Sequence, residues 1–417
     1  MRRRVVVTGI GAVTPLGLSM QETWDGLVAG ESGVGTISLF DASEMPVRIA
    51  GEVPDFDPRR YMTAKEARRM ARCSQMAIAA AQEATADAGL SVPVAESERV
   101  GVLIGSAIGG YDLMLDGVDQ FRSRGIRRVN PFLIISSLVN MPSFQVSRWA
   151  EARGPISTVV TACATGTQAI GEAAEHIRRG SADVMITGGV DTCVHVAPLA
   201  GFLAMRVLST RNDDPQAASR PFDAERDGLV MGEGCGILVL EELEHALARG
   251  TRARAEVLGQ ASASDAFHMA HPDPNGMGAG RAMEWALEDA HLAPDQVDYV
   301  NAHGTATVAN DLMETAAIKR VLGKHAYQVP VSSTKSMLGH TMGGAGAIEA
   351  GVCVLTMEQG IVHPTINLET PDPACDLDFV PGQARRADVR VALSNSFGLG
   401  GQNACLVMSR YGVHDPT

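Results

Sequence analysis

A chain of 417 residues, 45% hydrophobic and 20% charged, is long enough for two domains or one large α/β unit and can bury a sizeable core. A net charge of −13 without a basic tail argues against nonspecific nucleic-acid binding. Seven cysteines without a CxxC pair argue against a disulfide framework or a zinc site, and no apolar run reaches the ~18 residues that span a bilayer.

Taken in order, strand-like runs alternate with helical patterns, the mark of α/β layers. The opening MRRRVVVTGIGAVTPLG has the basic start of a secretory leader. Thr8, Gly9 and Gly11 break its apolar stretch, and no small-residue cleavage site follows. It reads as a first strand ending in a glycine-rich turn, and the protein is expected in the cytoplasm. KEARRMAR then places Lys65, Arg68, Arg69 and Arg72 on one face of one helix, with Met70, Cys73 and Ala77 inward. By spacing alone that face is merely solvated. RVGVLIGSA is the next strand.

STVVTACATGTQAIGEAAEHIRRG, Ser157 to Gly180, joins two patterns. Ser157 to Thr161 is β-branched and reads as a buried strand. Ile170, Ala173, Ala174 and Ile177 recur at helical spacing, and Gly180 is a plausible stop. Cys163 therefore falls on the turn into a helix. It is either a small buried hydrophobe or a nucleophile: a helix N-terminus lowers a thiol from about 8.5, favouring the thiolate, and its free N–H groups can hold an oxyanion.

ADVMITGG and CGILVLE are strands, and ALARGTRARAEV marks a boundary that divides residues 1–250 from 251–417. In the second half VDYVNAHG ends on His303. VPVSST leads into SSTKSMLGHTMGGAG, with Lys335 and His340, and a small-residue helix follows. VALSNS and NACLVMS flank the last glycine-rich loop, SNSFGLGGQN. The strand, glycine-rich turn and small-residue helix around His340 echo those around Cys163. Duplication follows as an expectation, with the two helices meeting N-terminus to N-terminus at a shared site. A thiol and two imidazoles from three strand–turn junctions are the parts that nucleophilic cysteine chemistry requires.

VVTGIGAVTPLG, TACATG, STRNDDPQAASRPFDAERDGLVMGEG, NAHGT, KSMLGHTMGGAG, HPTINLETPDPACDLDFVP and SNSFGLGGQN occur in this order over essentially the whole chain. Together they resemble the condensing enzymes of fatty-acid synthesis, the β-ketoacyl-acyl-carrier-protein synthase II family. The resemblance implies a thiolase-like α/β fold, with duplicated halves in five αβαβα layers, assembled as a dimer. It implies that Cys163 takes an acyl chain as a thioester and that His303 and His340 assist decarboxylation of malonyl-carrier protein. The N–H groups of Cys163 and Leu399 would hold the tetrahedral oxygen. Lys335 would pair with Glu349, and Asp311 and Glu314 would join a supporting network. Thr305 and Thr307 would contact the phosphopantetheine arm, with Ile108, Phe397 and Leu399 beside the acyl chain.

No redox or organic cofactor is implied, since phosphopantetheine arrives on the carrier protein. The family sometimes shows a structural monovalent cation near residues such as Asn301, Glu349, Ser394 and Asn395. With the resemblance, Lys65, Arg68, Arg69, Arg72 and Arg206, joined by Arg127 and Arg128, become a docking patch for acyl-carrier protein. A ketosynthase subunit of a type II polyketide synthase shares every catalytic motif, so the partner subunit is an identical copy or a chain-length factor. The chain-length factor itself lacks the active-site cysteine, and a thiolase would carry a second cysteine in the final loop. One departure stands out. The usual Phe-Gly-Phe-Gly-Gly is Phe397-Gly398-Leu399-Gly400-Gly401 here, without the second aromatic that gates the acyl pocket, which leaves chain length open.

Overall fold

The computed structural model describes residues 2–413; residue 1 and residues 414–417, the outer ends of the two expected halves, lie outside it. Ten strands share one sheet: β1 (Val5–Val13), β2 (Val100–Gly105), β3 (Ile156–Ser157), β4 (Val184–Thr192), β5 (Glu233–Glu242), β6 (Ala255–Ser264), β7 (Tyr299–Asn301), β8 (Val331–Ser332), β9 (Val391–Gly398) and β10 (Gln402–Arg410). Their spatial order is β8-β7-β9-β10-β6-β1-β5-β4-β2-β3.

Counted within each half, both runs read third, second, fourth, fifth, first. The directions repeat as well. First–fifth and fifth–fourth pairs are antiparallel, while fourth–second and second–third pairs are parallel. The halves join where β1 pairs with β6, Val6 opposite Glu256 and Val7 opposite Ala255.

The longer helices include α1 (Arg72–Asp87), α2 (Tyr111–Arg124), α3 (Met141–Ala150), α4 (Thr165–Arg178), α5 (Met277–Asp289), α6 (Val308–Leu322) and α7 (Ala345–Gln359). α1 and α3 cover the outside of the first half, on β1, β5, β4 and β2. α5, with α6 beside it, covers β6 and β10 of the second. α4 and α7 lie between, touching strands of both halves. This is the five-layered, thiolase-like arrangement. α7 is buried on every side from Ala345 to Met357, as a helix apolar all round must be. Small residues let the middle pair close up: a Cβ on Gly166 would lie 2.7 Å from the Ala347 nitrogen.

Two expectations fail here. The run Ser157 to Thr161 is not a buried strand. Only Ile156 and Ser157 pair, at the exposed sheet edge, and Thr158 to Thr161 leave the sheet. β-Branching reports fitness for a pleated surface, and here no neighbouring strand completes one. KEARRMAR is not one helix either. A Thr63–Glu66 capping box starts a short helix over Ala64–Ala67, and Ala71 is extended before α1 begins at Arg72. Arg72 then turns away from the basic face, because the buried carboxylate of Glu233, 2.7 Å away, requires a cation. It also lies over the Phe56 ring.

Candidate active site

Three chain reversals at strand ends bring the chemistry together. Cys163 sits in a 3₁₀ turn, Ala162–Ala164, that runs into α4. His303 lies two residues beyond β7, and His340 follows the short helix Lys335–Leu338 after β8. The cysteine sulfur and a nitrogen of each imidazole lie within 4.8 Å of one another. The two rings meet edge to face at 5.3 Å, and Phe397 packs 5.7 Å from His303. All four side chains are buried. The N-termini of α4 and α7 do face each other, as the echo between the halves implied.

Burial is the dominant influence on the Cys163 thiol and pushes it up to about 11. The N–H groups of Leu399 and of Cys163 itself, together with the Lys335 charge, act the other way and lose. The expected thiolate at the helix N-terminus is therefore corrected to a neutral thiol, since a site this dry penalises the charged form more than nearby donors favour it. The two N–H groups nonetheless converge on the sulfur. Gly398 allows this: a Cβ there would lie 3.1 Å from the Cys163 nitrogen and 2.7 Å from the Thr161 carbonyl oxygen.

Both imidazoles are held well below their ordinary range, by burial first and then by the Lys335 charge, so both are neutral at pH 7. His340 Nδ1 accepts the N–H of Met342 at 3.2 Å, which leaves the ring proton on Nε2. That nitrogen is buried and has no hydrogen-bond partner among the described residues. His303 is fixed through its backbone. Its N–H and that of Gly304 donate to the two oxygens of Glu314, each at 2.8 Å.

A buried polar network surrounds this core. Lys335 and Glu349 form an ion pair buried to 2% and 1% exposure, and Thr334 donates to Glu349 at 3.0 Å. Burial raises Glu314 to about 7 and Asp311 to about 6. Asn310 bridges these two carboxylates. Asp311 also accepts the Phe222 N–H and lies 3.3 Å from the buried guanidinium of Arg226. Arg226 and Asp191, which accepts the N–H of Gly343 at 2.7 Å, were not singled out from the sequence. A charged stretch such as FDAERDG looks like a surface loop, and an aspartate at a strand end looks like a turn residue.

A cleft opens to Cys163, with Thr305, Thr307, Phe397 and Leu399 in its walls. The two threonine hydroxyls lie 3.0 Å apart. Ile108 is not in the wall; it packs with Cys163 and Phe202 in an apolar cluster. A second group of atoms stands out for lacking partners. Asn301 Oδ1, Asn395 Oδ1, Ser394 Oγ and Glu349 Oε2 are all buried with no hydrogen-bond partner among the described residues, and Asn301 is opposite Ser394 in the sheet. Oxygen atoms of this kind suit a hard cation. Of the basic residues, Lys65, Arg68, Arg69, Arg127, Arg128 and Arg206 are exposed, and Arg72 is withdrawn as described.

No helix among the described residues is long and apolar enough to cross a membrane. Residues 2–246 match the model of the beta-ketoacyl synthase N-terminal domain and residues 254–369 that of its C-terminal domain. A 3-oxoacyl-[acyl-carrier-protein] synthase 2 from Synechocystis sp. is 50% identical over 410 residues, 98% of this chain and 99% of that protein. The protein of the same name from Coxiella burnetii is 47% identical over 98% of this chain and 99% of its own length.

Among solved structures, the ishigamide ketosynthase/chain length factor superposes with a TM-score of 0.93 at 38% identity, covering 99% of this chain and all of its own. A type II PKS ketosynthase in complex with its acyl-carrier protein, bound to the hexaketide, superposes at 0.90 and 36%, covering 98% and 100%. The thiol, the paired imidazoles and the repeated half thus sit in a scaffold whose relatives span its whole length, and the chain belongs to the β-ketoacyl synthase family.

Proposed function

We propose that the chain is a β-ketoacyl-acyl-carrier-protein synthase that lengthens an acyl chain by two carbons through decarboxylative condensation with malonyl-carrier protein. The observation that carries this reading is the meeting of one thiol, two neutral imidazoles and two backbone donors in one dry site. In the first step Cys163 Sγ attacks an acyl thioester, and the carbonyl oxygen moves into the N–H groups of Cys163 and Leu399. The bond to pantetheine sulfur breaks, and the cysteine proton ends on that sulfur. Malonyl-carrier protein then enters, its arm passing Thr305 and Thr307.

As CO₂ leaves, the electron pair forms an enolate whose oxygen accepts from the imidazole N–H groups, His340 through Nε2. Neutral donors suit this role because a charged imidazolium would have to be made in a dry pocket. The enolate carbon attacks acyl-Cys163, a C–C bond forms, the C–S bond breaks, and the freed cysteine takes a proton from solvent. Burial keeps the imidazoles neutral, with the charge of Lys335, paired with Glu349, adding to it, and Glu314 with Asp311 holds the loop that carries His303. The four orphaned oxygens at Asn301, Ser394, Asn395 and Glu349 fit a structural monovalent cation, which would satisfy them and take no part in bond making.

The carrier protein docks on Lys65, Arg68, Arg69 and Arg206, in the cytoplasm. The edge strand β3, with Ile156 52% exposed, and the exposed Ile134 and Ile135 support a second subunit on that face. The division at about residue 250 separates a half with the nucleophile from a half with both histidines. Leu399 in place of an aromatic gate, together with the ketosynthase neighbours, favours one second reading: the catalytic subunit of a type II polyketide synthase beside a chain-length factor.

The purified protein, given malonyl-carrier protein and acyl primers of graded length, is expected to release CO₂ and form β-ketoacyl products as a homodimer. Activity that appears only with a chain-length factor selects the second reading. An acylated enzyme that never condenses defeats both.

A further inference from the structure

The two halves build the same turn twice, and only one turn carries a cysteine. Cys163 is the middle residue of Ala162–Ala164 before α4, and Gly343 is the middle residue of Met342–Gly344 before α7. The residues ahead of them, Ala162 and Met342, share φ +50. In each case the fourth strand of the opposite half reaches the turn. Leu399, just beyond β9, presents its N–H to the Cys163 sulfur. Asp191, next to last in β4, presents a carboxylate oxygen to the N–H of Gly343 at 2.7 Å.

The correspondence extends to the space a side chain would fill. A Cβ on Gly343 would lie 2.5 Å from Asp191 Oδ2. The carboxylate therefore occupies the place into which a side chain would project, as that of Cys163 does in the other half. Three further donors close around it: the Ser106 hydroxyl at 2.7 Å and the N–H groups of Ala107 at 3.0 Å and Ile108 at 3.2 Å. All four donors are uncharged, and Asp191 is fully buried. Converging backbone N–H groups bind an anion whatever its source.

We propose that Asp191 is a built-in anion filling the second, unreactive oxyanion hole of the duplicated fold, and thereby the positioning residue for His340 and Ile108. The link to His340 is direct. The Gly343 N–H is held by Asp191, and the adjoining Met342 N–H is the group that His340 Nδ1 accepts. A shift of this turn moves the donor that fixes the ring's tautomer and aims Nε2. On its other side the same carboxylate holds the 106–108 loop, whose Ile108 packs against the apolar cluster that contains Cys163. The positioning role rests on the decarboxylation assigned above to His340.

Asp191→Ala leaves the backbone N–H groups facing a space that formate fits, which provides a test that needs no catalysis. Sodium formate is expected to raise the melting temperature of Asp191→Ala saturably, against sodium chloride at equal ionic strength, and to leave the wild type unmoved. In the half-reactions, CO₂ release is expected to fall roughly 10- to 100-fold, the scale of a sub-ångström to ångström misplacement. Acylation of Cys163 falls less, and formate restores the CO₂ release.

A folded variant that ignores formate in both measurements overturns the filled anion hole. Equal losses in the two half-reactions overturn the positioning role. A wild type that releases no CO₂ defeats the proposed function instead and leaves the formate titration standing. Should Asp191→Ala not fold, Asp191→Asn keeps the shape and loses the charge. It is expected to lose CO₂ release by the larger factor, and wild-type rates in it overturn the proposal.

Discussion

At the scale of single residues, the buried thiol and imidazoles make opposite demands on pH. Cys163 is pushed up to about 11, so alkylation by iodoacetamide is expected to rise about tenfold per pH unit from pH 8 to 10. Levelling near pH 8.5 would show an ordinary thiol and refute the burial argument. His303 and His340 are shifted the other way, so acidification from pH 8 to 6 should not switch off their donation by protonating them. Replacing either by alanine removes one donor and should cost on the order of 10²–10³ in CO₂ release, with smaller loss of acyl-enzyme by intact mass. Wild-type decarboxylation in both variants would remove them from the mechanism. These three residues were legible because rare side chains stood at strand ends among glycines. Arg226 and Asp191 were not, since their roles come from partners more than 80 positions away in the chain.

At the scale of elements, α7 presents the sharpest energetic contrast. It is buried from Ala345 to Met357 yet carries Glu349, which is tolerable only because Lys335 reaches it from the short helix Lys335–Leu338. Lys335→Met or Glu349→Gln strands the other partner and should cost about 3–5 kcal/mol in chemical denaturation, while the double variant should cost less than the sum of the two. Strict additivity would mean the pair is not coupled. The basic stretch before α1 makes a different prediction. Reversing the charges at Arg68 and Arg69 should raise the KM for carrier-protein substrates, spare short pantetheine thioesters, and fade as salt rises. A reversal at Arg72 should unfold rather than undock, because it breaks the contact with Glu233. Helical spacing alone could not separate these arginines; the capping box at Thr63 and the extended Ala71 did. Likewise β6, AEVLGQASAS, carries no strong alternation and escaped notice, although it is the strand that joins the halves.

At the scale of the whole molecule, the loop after β9 forms one wall of the cleft that opens to Cys163. If this loop closes over an acyl chain as the proposed function requires, leucine at 399, without a flat ring, would close less completely, and each further buried methylene would contribute roughly 0.8 kcal/mol, about fourfold in affinity. Leu399→Phe should narrow the range of primers more than it slows the preferred one, measured as competition among primers of graded length. An unchanged product distribution would place selectivity deeper in the pocket or in a partner subunit. The αβαβα layering was legible through the resemblance to the family, while the repeat of strand, glycine-rich turn and small-residue helix pointed only to duplication. The strand order was not, because it is set by which edges pair.

That order has a consequence for how such a chain can be written. Val7 lies beside Ala255, and Ala255 lies beside Arg410, so the beginning of β1, the entry to β6 and the exit of β10 stand in a row, about 10 Å across. The first half, the joint and the second half therefore start and stop at one place on the sheet. Joining Arg410 to the start of β1 through a short linker and opening the chain ahead of Ala255 would reverse the reading order of the halves without unpairing a strand. Cys163 would then be translated after both histidines, and the site would still close, because its geometry belongs to the pairing of β1 with β6 and not to which half comes first.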